Sequence, residues 1–232
     1  MNSDSKTQMA NTSLNSAAAL SADNSGTNLN NGKSRSTTVQ RTAKLVICAL
    51  FTALTAVCSW ISLELPFTPV PVNLATFAVM LSGCILGPVY GTISQIVYVL
   101  LGAVGAPVFS GGTGGFGIIA GPTGGYIIGY MLCAAICGTL SQKKEAIALS
   151  ANLPANKTIF RIAKPSVFRL AAAMVLGTAA CYAAGTLWFM YITGNGLLSS
   201  LMMCVVPYLP GDALKMIAGI AIIKRLPRSL WQ

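Results

Sequence analysis

Histidine is absent from this sequence of 232 residues, and acidic side chains are scarce, with five Asp and Glu against fifteen Lys and Arg. Without histidine, the chain lacks the commonest metal ligand and a common general base of proteins. Its seven cysteines form no CxxC pair, so a zinc site is not expected. A GxxxxGK[ST] phosphate-binding loop is also missing, so the chain cannot use ATP by itself. These absences argue against an enzyme and against a bound metal or cofactor.

Charge is scarce throughout the chain. Only 9% of residues are charged and 54% are hydrophobic, whereas about a quarter of the residues in a soluble domain are charged. A helix needs about 20 apolar residues to cross the hydrocarbon layer of a membrane. Runs of this kind predict an all-α integral membrane protein with six transmembrane helices, the second and third separated by a Gly87-Pro88 break. The predicted spans are 45–63, 72–87, 89–104, 123–140, 168–193 and 199–223.

The distribution of lysine and arginine predicts the orientation, because cytoplasmic loops of membrane proteins are enriched in these residues. They flank the first span, fill the 141–167 connection and follow the last span, whereas the connections after spans one, three and five contain none. Both termini and the 141–167 loop should therefore be cytoplasmic. The net charge of +10 then reflects topology and contact with anionic lipid heads, and we expect no nucleic-acid partner.

The N-terminal residues differ from the rest in composition. Residues 1–38 are rich in Ser, Asn, Thr and Ala, with almost no large apolar side chains. Such a segment cannot bury enough surface to fold. We therefore predict a disordered cytoplasmic tail over 1–38 and one six-helix membrane domain over 39–232.

Small residues recur at every fourth position in two of the predicted spans. In lipid, such ladders let helix backbones approach closely. For the cysteines among them we therefore favour helix packing over metal binding. The ladders are Gly125, Gly129, Cys133 and Cys137 in span four, and Ala173, Gly177, Cys181 and Gly185 in span five.

Three segments are marked by proline and glycine, which stiffen or bend the backbone. They are 66–73 (PFTPVPVN), the glycine-rich run 105–125, and 207–212 (PYLPGD). In the six-span topology all three lie toward the outer side. Non-helical backbone at membrane depth persists only where protein or a cavity covers it. We therefore expect a preformed pocket that opens outward.

Asp212 and Lys215 form the strongest candidate site. Apart from Arg169 at the edge of span five, Lys215 is the only one of the fifteen basic residues inside a predicted span. A charge at bilayer depth costs about 2.5–3.5 kcal/mol on insertion scales and usually serves function. The two residues are three positions apart and share a helix face. Pro210 could begin the final helical section, which would place Asp212 near its positive end.

Two interpretations of this pair remain open. A mutual salt bridge could simply hold the last span against its neighbours. Alternatively, Asp212 accepts hydrogen bonds from ligand N–H groups and Lys215 donates to a ligand carbonyl or carboxylate, which the adjacent helix break favours. Asn73 could contact a ligand or cap the second span. Tyr126 and Tyr208 could line the site or belong to the aromatic belts at the membrane interface.

Three motifs, taken in order, resemble the BioY family, the biotin-binding S-components of energy-coupling factor (ECF) vitamin transporters. They are PFTPVPVNLATFAVMLSGCILGPVYG, LLGAVGAPVFSGGTGGFGIIAGPTGGYIIGY and PYLPGDALK. The similarity extends from about Leu45 to Ile223, apart from the 141–166 loop. It implies an S-component-like bundle in the bacterial plasma membrane that captures biotin from outside. It also implies a transmembrane coupling protein and two ATPase subunits as partners, which would account for the missing phosphate-binding loop.

The resemblance also implies site residues. Asp212 and Lys215 match the family's charged pair in the last helix and should contact the polar ends of biotin. Asn73 and Thr76 lie where the family often reads PVTLQT and this chain reads PVNLAT, and both are candidate ligand contacts. A second departure is Val89, which stands where a basic residue often follows LGP.

Ala49 and Ala53 match the small-residue face by which S-components dock on the coupling protein. Ordinary helix packing would explain this AxxxA pair equally well.

Three other functions stay open at this point. The chain could be an S-component for a different vitamin, or a self-sufficient ion-coupled carrier. A membrane enzyme of lipid or prenyl chemistry is the third, but it would need paired acids, a histidine or an activated nucleophile.

Overall fold

The predicted transmembrane helices are present, with bounds shifted by a few residues. A computed structural model of the chain describes residues 42–63, 66, 70–141 and 166–225. The predicted tail over 1–38 and nearly all of the 141–167 loop lie outside these described residues. The helices within them are α1 (Thr42–Trp60), α2 (Ala75–Ala103), α3 (Phe116–Ala120), α4 (Gly124–Ser141), α5 (Val167–Thr193), α6 (Leu197–Cys204) and α7 (Leu209–Arg225).

Helix α2 is a hairpin rather than a straight rod. Gly87 has φ 83° and ψ −178°, a conformation that glycine adopts far more readily than other residues. In a straight helix, Ser82 and Gln95 would lie about 20 Å apart at about 1.5 Å per residue. Instead, Gln95 Nε2 donates to Ser82 Oγ over 3.1 Å. The chain therefore reverses at Gly87, and α2 consists of two antiparallel limbs, 75–86 and 88–103.

This reversal gives the predicted number of helices. Among the described residues, five helical stretches are long and apolar enough to cross a membrane: α1, α2, α4, α5 and the segment from α6 to α7. Because α2 contributes two limbs, the bundle has six membrane helices, and the start of α1 lies on the same side as the end of α7. The flanking lysines and arginines make that side cytoplasmic.

Polar contacts attach α1 to the second limb of α2. Gln95 Nε2 donates to Thr55 Oγ1 over 3.3 Å, and the Tyr98 hydroxyl donates to Ser59 Oγ over 3.1 Å, one turn nearer the outer side. Hydrogen bonds between helices in lipid contribute about 0.6 kcal/mol on average. These contacts therefore fix the register of α1 against α2 and add little to the stability of the bundle.

The two small-residue ladders face each other across the α4–α5 interface. A Cβ added to Gly129 would lie 3.0 Å from Cys181 Sγ, and one added to Gly177 would lie 2.6 Å from Cys137 Sγ. All seven cysteines are free and buried. This close approach confirms the packing interpretation of the ladders.

The last predicted span is interrupted, and the interruption positions the charged pair. Val205 leaves the helical conformation (φ −125°, ψ −53°), and a 3-10 turn covers Val206–Tyr208. Helix α7 then begins at Leu209, with Pro210 and Asp212 in its first turn. The expected helix start is therefore confirmed, and the Asp212 carboxylate lies at the positive end of α7.

Two short elements were not expected in an all-α chain. Two strands, β1 (Ser62–Leu63) and β2 (Val72–Asn73), pair in antiparallel fashion between α1 and α2. Helix α3 interrupts the glycine-rich run. Both satisfy backbone groups that would otherwise lack partners near the apolar bundle, and neither is long enough to show a hydrophobic period.

Gly83, in the first limb of α2, offers a test of the packing. A Cβ there would lie 2.5 Å from the carbonyl oxygen of Ala134 and 2.8 Å from Cβ of Cys137. Because backbone atoms would have to move, we expect Gly83→Ala to destabilise the bundle by about 1–3 kcal/mol. Its unfolding temperature in detergent should fall by several degrees. Gly117→Ala is the control, since nothing lies within 4 Å of that Cβ. Equal unfolding temperatures for the two variants would contradict the observed α2–α4 contact.

Candidate functional site

A cavity of about 180 Å³ lies between α2, α4, α5 and α7 in the outer half of the bundle. All three proline- and glycine-marked segments contribute to its wall, through Pro71, Ser110 and Tyr208 among others. The predicted pocket is therefore present. Most of the wall is apolar or aromatic, and several of its polar side chains form a hydrogen-bonded network around Asp212 and Lys215.

Lys215 uses all three N–H donors of its ammonium group within the protein. Its Nζ lies 2.8 Å from Asp212 Oδ1, 2.6 Å from the carbonyl oxygen of Asn73 and 3.0 Å from Thr76 Oγ1. The side chain is only 11% exposed. Three oxygen partners offset the loss of water around the charge, so the cation can occupy this depth.

The Asp212 carboxylate is also buried, with its side chain 5% exposed. Its Oδ1 accepts hydrogen bonds from Lys215 and, over 3.4 Å, from Thr76 Oγ1. Its Oδ2 accepts a hydrogen bond from the hydroxyl of Tyr182, on α5. A carboxylate has about four acceptor positions, and these contacts use three of them. Of the charged pair, Asp212 alone keeps capacity for another partner, at Oδ2.

Asn73 connects this network to the outer loops. Its Oδ1 accepts from the backbone N–H of Ala75 over 3.2 Å and from the Tyr130 hydroxyl over 3.3 Å. Its Nδ2 donates to Ser110 Oγ over 2.6 Å. Asn73 therefore bonds the backbone at the start of α2 and also lines the cavity, whereas its contact with a ligand stays a prediction.

Aromatic side chains make up much of the cavity wall. The Tyr126 hydroxyl donates to the carbonyl of Cys204 over 3.1 Å, and the Tyr208 hydroxyl donates to the carbonyl of Val70. Both rings are less than 10% exposed. Their burial in the cavity wall is at odds with membership of a lipid-facing aromatic belt.

The structure brings together all six candidate binding residues around this one cavity: Asn73, Thr76, Tyr126, Tyr208, Asp212 and Lys215. Their contact with a ligand stays a prediction. The salt bridge considered as an alternative is present, but it lies in the cavity wall and does not replace the binding interpretation. Ala49 and Ala53 lie elsewhere, on an exposed face of α1.

Sequence reasoning missed several members of the site. Tyr182, Tyr130 and Ser110 all line the cavity and bond its network. A tyrosine inside an apolar span carries a hydroxyl that needs a partner, which could have drawn attention to Tyr182. Tyr130 could have been found one helical turn after Tyr126. No group of three or more metal-ligating side chains occurs within the described residues.

The comparisons with known proteins decide the family. The model of the BioY family matches residues 30–232. The chain belongs to the BioY family. Its membership confirms the resemblance seen in the three sequence motifs, and it identifies the chain as a multi-pass cell membrane protein of a transporter family rather than of an enzyme family.

Relatives match over most of their length. A probable biotin transporter BioY of Pyrococcus horikoshii is 33% identical over 180 residues, covering 78% of this chain and 93% of the relative. The biotin transporter BioY of Lactococcus lactis is 30% identical over 188 residues, covering 81% and 92%. A shorter match, to the biotin transporter BioY of Thermotoga maritima, is 48% identical and covers 45% of this chain and 61% of that one.

The fold also has a solved counterpart. A crystal structure at 2.1 Å of the S-component for biotin from an ECF-type ABC transporter superposes with a TM-score of 0.67 at 31% identity. The match covers 81% of this chain and 92% of the other. The predicted S-component-like bundle is therefore confirmed.

The effects of the two buried charges on the stability of the protein should be coupled rather than additive. Lys215→Met leaves the Asp212 carboxylate without its cation, and losing one member of a buried pair costs about 3–5 kcal/mol. The double variant Asp212→Asn, Lys215→Met removes both charges and should unfold at a higher temperature than Lys215→Met alone. Thermal unfolding in detergent without added ligand measures this. Additive losses in the double variant would show that the two charges do not compensate each other.

Proposed function

We propose that this chain captures biotin at the outer face of the cell membrane, as the substrate-binding S-component of an ECF-type uptake system. The observation that carries the proposal is a cavity lined by a buried Asp212–Lys215 network in a bundle of the BioY family. Relatives described as biotin transporters, and a solved S-component for biotin, support the choice of ligand. The chain binds its ligand and performs no chemistry on it.

Biotin fits the cavity in size and polarity. A buried water molecule needs roughly 10–15 Å³ of cavity volume. A cavity of about 180 Å³ therefore has room for on the order of ten waters, or for one small organic molecule. Biotin presents a ureido ring with N–H donors and a carbonyl, an apolar thiophane ring and chain, and an anionic tail. Apolar walls with a few convergent polar groups are the usual environment for such a ligand.

The geometry refines the roles expected for the charged pair. Lys215 Nζ lies 2.8 Å from Asp212 Oδ1. The two charged groups therefore face one region of the ligand rather than its two ends. Asp212 has a free acceptor position, whereas Lys215 could reach a ligand oxygen only by giving up a protein partner. We therefore place the ureido N–H groups at Asp212 and assign to Lys215 the neutralisation of that carboxylate.

Helix α1 supplies a surface for the partner that would power transport. One side of α1 bonds α2 through Thr55 and Ser59, whereas Ala49 and Ala53 are exposed on another side. Small residues four positions apart let a second helix approach closely. We propose that a transmembrane coupling protein, which carries two ATPase subunits, docks there. This partner hydrolyses ATP, for which the chain itself has no GxxxxGK[ST] phosphate-binding loop.

Binding by the purified protein tests the ligand. Biotin should raise the unfolding temperature, and other vitamins should not. Asp212→Ala removes a ligand bond to a charged group, which contributes about 1.5–3 kcal/mol, and Lys215→Ala removes the cation that neutralises the Asp212 carboxylate. Each variant should therefore weaken biotin binding at least 10- to 100-fold while inserting normally. Lys224→Ala, near the cytoplasmic end of α7, is the control. Stabilisation by another vitamin but not by biotin would refute the ligand assignment, and wild-type affinity in both site variants would refute the site.

The docking surface is tested separately. Ala49→Leu with Ala53→Leu should abolish biotin uptake in cells that contain the coupling module, because bulky side chains keep the helices apart. Biotin binding by the purified variant should stay unchanged. A matched control is Ala179→Leu with Ala183→Leu, an exposed pair at the same spacing on α5. Loss of uptake in the α5 variant, with normal uptake in the α1 variant, would move the docking surface to α5.

A further inference from the structure

Tyr182 differs from the neighbouring tyrosines of the cavity because its hydroxyl bonds the charged pair. Its hydroxyl donates its only proton to Asp212 Oδ2, so its oxygen can only accept a further hydrogen bond. The Tyr126 ring packs edge-on against it at 6.5 Å, which holds the ring in place. Tyr126 differs because its hydroxyl donates to a backbone carbonyl, away from the charged pair.

Tyr182 and Asp212 together create a part of the cavity that offers acceptors alone. Asp212 Oδ2 has one acceptor position left, and the Tyr182 oxygen adds its own lone pairs. The ammonium of Lys215, the nearest strong donor, directs all its protons to Asp212, Asn73 and Thr76. A ligand carbonyl or carboxylate placed there would meet only lone pairs, whereas a ligand N–H would be bound.

The cavity wall also contains donor groups, at Asn73 and Ser110. Asn73 Nδ2 uses one N–H on Ser110 Oγ, which leaves its second N–H for another acceptor. Ser110 Oγ accepts that bond, and its own hydroxyl proton can still be donated. The cavity wall therefore offers acceptors at Asp212 and Tyr182, and donors at Asn73 and Ser110, to a ligand that carries both N–H and carbonyl groups.

We propose that Tyr182 is a specificity-determining residue, which selects ligands that present an unsubstituted N–H to the Tyr182–Asp212 pair. This inference rests on the proposed function, because the ureido ring of biotin is the group selected. Methylation of the ureido nitrogens should weaken binding in two ways. It removes the N–H donor, and it places a methyl group against Asp212 Oδ2 and the Tyr182 hydroxyl oxygen.

The test compares two ligands on three proteins. Dissociation constants are measured for biotin and for a biotin analogue with methylated ureido nitrogens, on wild type, Tyr182→Phe and Tyr191→Phe. Tyr191 lies on the same helix and is 82% exposed, which makes it the matched control. Wild type and Tyr191→Phe should prefer biotin by the same ratio. In Tyr182→Phe the ratio should fall about tenfold, which corresponds to one hydrogen bond of about 1.4 kcal/mol.

The possible results show whether the Tyr182 hydroxyl selects the ligand or only holds the site in shape. If Tyr182→Phe weakens both ligands equally, or if the folded variant binds neither, the hydroxyl only supports the site and the proposal is overturned. If wild type fails to bind biotin, the proposed function falls, and the inference falls with it. Should Tyr182→Phe not fold, Asp212→Asn replaces an acceptor of the same pair by a donor. It must then also lower the preference for biotin, and an unchanged ratio would overturn the proposal.

Discussion

The Lys215 ammonium is almost removed from water, and the oxygen partners that it needs come from distant parts of the chain. Two of them, the Asn73 carbonyl and Thr76 Oγ1, lie at the start of α2, and the third belongs to Asp212 on its own helix. Tyr182 then adds α5 to the same network. Three helices must therefore meet at one point in the outer half of the bundle, and the cavity is the space that their meeting encloses.

Small residues make this meeting possible. Gly177 and Gly129 bring α4 and α5 so close that even a methyl group would collide with cysteine sulfurs of the facing helix. Gly185 leaves room for the Tyr126 ring, since a Cβ there would lie 2.4 Å from that ring. Lipid tails are as apolar as the helix surfaces, so close packing rather than a hydrophobic driving force holds such helices together. The ladders thus decide how near Tyr126 and Tyr182 come to the last helix.

The sequence predicted the helices because membrane spans leave a strong signal in composition, and it located the break at Gly87 because glycine followed by proline interrupts a helix. It also identified the charged pair, since charge at this depth is rare. It could not reveal that Tyr182 bonds Asp212, 30 positions away, or that Lys215 bonds Asn73, 142 positions away. Hydropathy shows which residues are apolar but not how each helix is rotated, and rotation decides which tyrosine faces the cavity. The β1–β2 pairing is too short to leave any periodic pattern.

The arrangement of the pair also explains how an anionic vitamin could bind beside a carboxylate. On the proposed function, a lone Asp212 would repel the biotin tail by about 2 kcal/mol at roughly 8 Å, with an effective dielectric constant of about 20. Lys215, 2.8 Å from Asp212, cancels most of that repulsion without offering a donor of its own to the ligand. The site therefore keeps the acceptor strength of a carboxylate while its net charge is zero. A neutral acceptor such as glutamine could avoid the repulsion too, but its amide would add donors where the ureido ring needs acceptors. An ion pair fixed by protein oxygens meets both requirements, which gives a physical reason for placing two charges where the membrane favours none.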